Sequence, residues 1–301
     1  MCWAACAGSP RGAKRLAPED ELLAFAPTGA SMLVDVDVAR VRDWSSAHKL
    51  LEALSRQRQE LAAALGFDLV QDVDRQLLWF RRLGSATEYV AISRGRFEAG
   101  RVRAAVESRG GKVLAYRGVP FFQAGDSAGV FLADNTFALG TIAGVQAAVD
   151  VLHSVAPAAK SDEEVMRLRA SAGLSGRTIV RVAAVVPPSE GERRSHLRSL
   201  VWRVDAGAGL DVTMTSEHED VAQATEGAQQ LKQLALDARQ QLGGMGLGAY
   251  LDALLVTTQG TRVMASLRLS DQQCEELAGL LARLMPLLMQ SAGWPPQNGK
   301  P

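Results

Sequence analysis

The feature that most constrains this chain is how often its hydrophobic period changes. From residue 30 onward, strand-like alternation and helical spacing replace each other about every ten to twenty residues. Ser31 to Val38 sets Met32, Val34, Val36 and Val38 against Ser31, Leu33, Asp35 and Asp37. This reads as a period-two strand whose valines face the core and whose Asp35 and Asp37 lie on a largely polar, solvated face. Ala47 to Leu65 switches to helical spacing, with Ala47, Leu50, Leu51, Leu54, Leu61 and Leu65 on one side and Gly66 as a C-cap. Leu77 to Leu83 and Ala86 to Ser93 read as strands joined at Gly84-Ser85, and Phe97 to Ser108 as a helix stopped by Gly110-Gly111. Four short strands follow, Lys112 to Arg117, Pro120 to Gln123, Gly129 to Ala133 and Thr136 to Thr141. Turn residues Gly118, Gly125-Asp126 and Asp134-Asn135 separate them into an antiparallel meander. A helix from Val145 to Ser154 closes the first half, and Ala156-Pro157-Ala158-Ala159 reads as a connection.

The second half repeats these ingredients. Arg177 to Val186 is strand-like and stops at Pro187-Pro188, and the charged Ser189 to Arg194 is a loop. Leu200 to Asp205 and Leu210 to Thr215 form a hairpin around Ala206-Gly207-Ala208-Gly209. A long helix runs from about Glu219 to Leu242 and ends at Gly243-Gly244. Its stripe Val221, Ala224, Ala228, Leu231, Ala235, Ala238, Leu242 is mostly small, which predicts a helix lying flat on a sheet rather than a coiled-coil seam. Leu254 to Thr258 and Arg262 to Leu269 form another hairpin, and a final helix, Asp271 to Met289, is kinked at Pro286.

Both halves place helices after strand pairs. The expectation is an α+β protein of two lobes, each a mainly antiparallel sheet with helices packed on one face. The lobes cover residues 28–156 and 157–290, after a tether over 1–27 and before a loose tail over 291–301. No fixed-period repeat relates them at residue level.

Composition narrows the function classes. Hydrophobic residues make up 47% and charged residues 22% of 301, the balance of a globular chain with a core. Lys plus Arg and Asp plus Glu both number 33, so no concentrated basic surface is available to displace counterions from nucleic acid. Aromatic residues are only 5%, which argues against stacking platforms for single strands or sugars. No run approaches the roughly 18 apolar residues needed to span a bilayer.

Candidate chemistry is sparse. Asp35-Val36-Asp37 and Asp72-Val73-Asp74 each place two acids at i and i+2, which on a strand share a face and could hold a cation or act as an acid/base pair. No third acid or histidine lies at ligand spacing, so the first pair reads as the outward side of its strand. His48, His153, His196 and His218 are scattered, with no HExxH pattern. Gly243-Gly244-Met245-Gly246-Leu247-Gly248 follows a helix instead of opening one and lacks the Lys-Ser/Thr of a phosphate loop. Gly173-Leu174-Ser175-Gly176 lacks the spacing of a hydrolase elbow. No catalytic, cofactor-binding or metal-binding constellation is assigned.

Of the three cysteines, Cys274 falls on or beside the apolar face formed by Leu277, Leu280, Leu281 and Leu284, and reads as a small buried thiol. Cys2 and Cys6 sit in Met1-Cys2-Trp3-Ala4-Ala5-Cys6-Ala7-Gly8-Ser9, ahead of an aperiodic polar stretch from Pro10 to Glu21. This start resembles the end of a bacterial lipoprotein signal peptide, with Ala4 and Ala5 before Cys6 as the lipidation candidate. Trp3 stands where an aliphatic residue is usual, and the charged and apolar parts of a signal would have to lie upstream of Met1. Ala7 after the cysteine resembles the pattern of outer-membrane retention.

Taken whole, the chain resembles uncharacterised two-lobed envelope lipoproteins of high-GC Gram-negative bacteria, through its Ala-Ala-Cys start, tether and Ala/Arg/Leu-rich α+β halves. The resemblance implies a lipid-anchored protein of the periplasm or outer membrane. On this basis the expected function is a non-enzymatic, extracytoplasmic binding or scaffold module. It uses no cofactor and binds no nucleic acid; its partner is a protein or envelope component, and its membrane contact is only through the lipid. Two other classes stay open. One is a small-ligand carrier with a cleft between the lobes, and the other is an enzyme using Asp35, Asp37, Asp72 and Asp74.

Overall fold

In the computed structural model, residues 20–83, 86–186, 196–243 and 248–280 are described. Residues 1–19 of the tether, the Gly84-Ser85 turn, the Pro187 to Arg194 stretch, the glycines at 244 and 246, the Pro286 kink and the tail over 291–301 lie outside them. Residues 20–27, expected as the end of the tether, instead form a turn of helix over Glu21–Ala24 and bury Leu22, Leu23 and Ala26 in the core, because these apolar side chains cover one face of the sheet.

The chain is α+β and its sheet is antiparallel throughout. The first half contributes β1 (Met32–Asp37), β2 (Val73–Leu83), β3 (Ala86–Gly95), β4 (Lys112–Tyr116), β5 (Val119–Ala124), β6 (Ser127–Ala133) and β7 (Thr136–Thr141). The second half adds β8 (Thr178–Val185), β9 (Leu197–Gly207), β10 (Gly209–His218), β11 (Leu255–Gln259) and β12 (Arg262–Leu269). Where the sequence suggests one sheet per half, all twelve strands join in the order β11-β12-β10-β9-β8-β1-β2-β3-β7-β6-β5-β4. The joint is β1, which pairs with β2 on one side and with β8 on the other.

Helices cover both faces rather than one. On the first face, α5 (Ile142–Leu152) and α6 (Glu163–Ala172) bury Val145, Ala148, Val149 and Val165 against Leu33, Leu77, Trp79, Ile92 and Val130. On the second, α3 (Ser55–Leu65) and α4 (Ala99–Glu107) bring Leu65 and Val102 to Phe67, Phe122 and Phe137. These follow α1 (Val38–Asp43) and α2 (Ser45–Ala53), so the single helix expected from Ala47 to Leu65 is broken near Leu54. Gly66 caps α3 with φ +80°, and a Cβ there would lie 2.6 Å from the Arg101 carbonyl oxygen.

The long helix α7 (Val221–Gly243) packs on the second face through Ala224 and Ala228, which meet Val263. The predicted stripe holds at these positions, with Leu231 half-buried, whereas Val221 is exposed. Helix α6 has no counterpart in the sequence reading. Its signals are plain in retrospect: Asp162 caps the Val165 N–H, Glu163 and Glu164 occupy the first turn, and Val165, Leu168 and Ala172 are buried at helical spacing.

Candidate functional site

The sequence assigns the polar side of β1 to solvent, and the fold reverses this. Asp35 pairs across β1 and β8 with Arg181, and Leu33 on the same side is fully buried in the core. Leu33, Asp35 and Asp37 therefore lie on the face that α6 covers, while Met32, Val34 and Val36 are half-buried on the other. The cause is an ion cluster. Arg169 on α6, with a side chain 2% exposed, donates from Nη2 to Asp35 Oδ1 (2.6 Å) and from Nε to Asp35 Oδ2 (3.2 Å). Its Nη1 reaches Asp20 Oδ1 at 2.7 Å. Burial pushes the Arg169 guanidinium toward deprotonation, but the charges of Asp35 and Asp20 outweigh it and hold the group above its ordinary range. Arg181 donates from Nε to the same Asp35 Oδ2 at 3.2 Å.

The other three candidate acids are also engaged. Asp37 caps α1 by accepting from the Arg40 N–H (3.0 Å) and pairs with Arg75 Nη2 (3.3 Å). Asp72 precedes β2 instead of lying within it, and its carboxylate accepts the Asp68 backbone N–H (2.8 Å). Asp74, 42% exposed, faces Arg42 Nη2 (3.4 Å) and Arg96 Nη1 (3.5 Å). Asp37 and Asp74 share the rim of an open depression with Arg40, Asp43, Arg75 and Arg94. The fold thus brings Asp35 beside Asp37 and Asp37 near Asp74, and turns Asp72 into a local loop. Chemically this is a set of hydrogen bonds and ion pairs in which three carboxylates face guanidiniums and the fourth a backbone N–H.

A cavity of about 240 Å³ opens over the junction of β1, β2 and β8. Asp35, Asp37, Arg75, Arg181 and Thr178 line it from the sheet, Arg40 from α1, Leu22 from the entering chain, and Leu174 to Gly176 from the turn after α6. Ser175, rejected as a hydrolase serine on spacing, donates to Asp205 Oδ1 (3.0 Å) beside Thr178, which reaches the same atom at 2.6 Å. The sequence reading missed Arg169, Arg181 and Arg75. The capping pattern ahead of α6 marks Arg169's helix, but no local signal places it opposite Asp35, 134 residues away.

Two of the histidines read as scattered come together. His196 and His218 line a groove of about 630 Å³ beneath α7. His196 Nδ1 lies 3.2 Å from Glu219 Oε2, and His218 Nε2 lies 3.1 Å from Ser216 Oγ. Burial, and secondarily the neighbouring His196, pushes the His218 imidazole below its usual range. Among the described residues no group of three or more His, Cys, Asp or Glu side chains is arranged to hold a metal ion. Cys274 is buried, as its spacing predicts, and burial followed by the Asp271 charge raises its thiol.

No family model matches the chain, and no curated protein matches it. Solved structures of a protein designated TP0453 are similar in fold. Its crystal form III aligns with a TM-score of 0.50 at 11% identity, covering 87% of this chain and 98% of that one. Crystal form I gives a TM-score of 0.50 at 11% identity, with coverages of 88% and 97%. At that identity the likeness extends to the fold alone.

Proposed function

We propose that this chain is a non-enzymatic binding module of two α+β halves on a shared sheet, held outside the cytoplasm at the cell envelope by lipid on Cys6. The observation that carries the binding role is the state of the four candidate acids. Asp35, Asp37 and Asp74 face arginines and Asp72 accepts a backbone N–H, so each is already engaged by a donor of the protein itself. A carboxylate whose oxygens are taken up by the protein's own donors is badly placed to reach a substrate proton. The anchoring part rests on Ala4-Ala5-Cys6 and on the polar stretch between that cysteine and Leu22, the first core side chain among the described residues.

A small-ligand carrier is the second reading, and one observation favours it. The cavity of about 240 Å³ is lined by β1 and β2 from one half and by β8 and the turn before it from the other.

The anchoring test starts upstream of Met1. In-frame DNA there should encode a basic start and about ten apolar residues. Expressed from that start in a Gram-negative host, the protein should partition into the detergent phase, and Cys6→Ser should release it to the aqueous phase. Equal partitioning of the two forms overturns the anchor.

A further inference from the structure

The geometry points to a binding site for a small oxyanion, a carboxylate or a phosphate group, in the cavity where β1, β2 and β8 meet. This deepens the carrier reading and rests on it.

The first argument is an unfinished buried guanidinium. Arg181 has a side chain only 5% exposed, lines the cavity, and makes a single hydrogen bond among the described residues, from Nε to Asp35 Oδ2. Its Nη2 is buried without a partner. Asp35 does not make up the difference: its Oδ2 is shared between Arg169 Nε and Arg181 Nε, its Oδ1 is taken by Arg169 Nη2, and neither oxygen is reached by Arg181 Nη2. Buried donors in folded proteins are ordinarily satisfied, and a planar fork with open N–H groups is the side chain best shaped to take an oxyanion.

The second argument is charge. Arg40, Arg75 and Arg181 reach the cavity against Asp35 and Asp37, leaving one uncompensated positive charge on its wall. Behind the wall, Arg169 and Asp20 offset each other. The hydroxyls of Ser175 and Thr178 are turned to Asp205, so recognition falls to the guanidiniums. The third argument is size and lining. The volume lies below the roughly 300–1,000 Å³ of drug-sized pockets, and Leu22, Leu174 and Ile179 supply an apolar side suited to a short alkyl group.

The test uses the full chain and two probes, sodium propionate and sodium phosphate, at constant ionic strength with sodium chloride as the reference. Calorimetric titration and thermal melting are read together. At least one probe should bind saturably, with a dissociation constant on the order of millimolar for so small a ligand, and raise the melting temperature. Propionate binding without phosphate assigns a carboxylate, and the converse assigns a phosphate. Arg75→Gln, at a half-exposed position, should keep the fold and weaken binding roughly 10- to 100-fold, the loss of one charge-assisted contact. Arg181→Gln should abolish binding; if that variant does not fold, wild type and Arg75→Gln decide the matter alone. No saturable binding of either probe up to tens of millimolar overturns the site. So does equal affinity in wild type and Arg75→Gln, which places binding elsewhere. Neither result touches the Cys6 anchor, which is read by partitioning.

Discussion

Replacing Asp35 by Asn tests the cluster at its centre. The carboxylate is 20% exposed and serves two guanidiniums that are 2% and 5% exposed. Removing one partner of a buried ion pair typically costs about 3–5 kcal/mol, because the remaining charge keeps its desolvation penalty without its counterion. Here Arg169 retains Asp20 at 2.7 Å, while Arg181 is left with no carboxylate among the described residues. The expected loss is therefore at the lower end, about 3 kcal/mol, a large share of the roughly 5–15 kcal/mol that a folded domain has in total. Asp37→Asn is the matched control. Asn still caps α1 by accepting the Arg40 N–H and loses only ion pairs with the half-exposed guanidiniums of Arg75 and Arg40, so it should cost about 1 kcal/mol or less. Urea unfolding at pH 7, followed by circular dichroism with the slope held as a check on two-state behaviour, measures both variants. A third variant removes the buried charges together: Asp35→Leu, Arg169→Met and Arg181→Leu should recover most of the loss, because the one carboxylate left without its arginine, Asp20, is 26% exposed and reaches solvent. An Asp35→Asn cost below about 1 kcal/mol, or one equal to that of Asp37→Asn, refutes the buried cluster and returns Asp35 to solvent.

Two further outcomes follow from other parts of the fold. Ala228→Leu overpacks the contact between α7 and Val263 and should lower stability by about 1–3 kcal/mol, whereas the same change at half-buried Ala235 should cost clearly less; equal effects in chemical denaturation reject the packing of α7. Burial raises the Asp68 carboxyl, but the Val70 and Gln71 N–H groups and Arg58 outweigh it, so its folded pKa lies below the usual carboxylate value. A depressed folded pKa gives stability that is present above the unfolded value, near pH 4, and lost as pH falls through the folded one. Asp68→Asn should therefore destabilise at pH 7 and converge with wild type in acid; a pH-independent difference contradicts the assignment.

How much of this was legible in the sequence depends on how local the cause is. The meander from β4 to β7 and the hairpins β9–β10 and β11–β12 are set by turn residues and short-range alternation, and they stand where the periodicity puts them. The seam of α7 was readable as a stripe, but not where along the helix the sheet ends and Leu234 and Leu236 become exposed. The facing of β1 was misread because alternation reports only which residues share a side. Leu33, Asp35 and Asp37 share one, and two acids outvote one leucine in any hydropathy count. What reverses the vote is Arg169, which arrives from a helix more than a hundred residues away. The joining of the halves was illegible for the same reason: β1 pairs with β8 across about 150 residues, and neither strand's pattern names its partner.

That pairing also explains why a charged cluster sits in so costly a place. Beyond β1, the halves meet where Val41 and Trp44 pack beside Ile179 and Val204, where Val165 and Met166 join the shared core, and at the bridge of Pro27 and Ala158, so the β1–β8 ladder fixes how the two halves meet. In the observed register Asp35 faces Arg181, with Leu33 opposite Ala183 on the same side and Val34 opposite Val182 on the other. A slip of one residue turns every side chain of a strand to the opposite face. Asp35 would then lie among the valines of the second face, and Arg169 and Arg181 would be buried without it. A purely apolar joint of Val and Ala carries no such penalty, since its two faces are nearly interchangeable. The ion pairs add little net stability over an apolar core, but they make the wrong register far worse than the right one. The same requirement leaves Arg181 with donors to spare at the cavity.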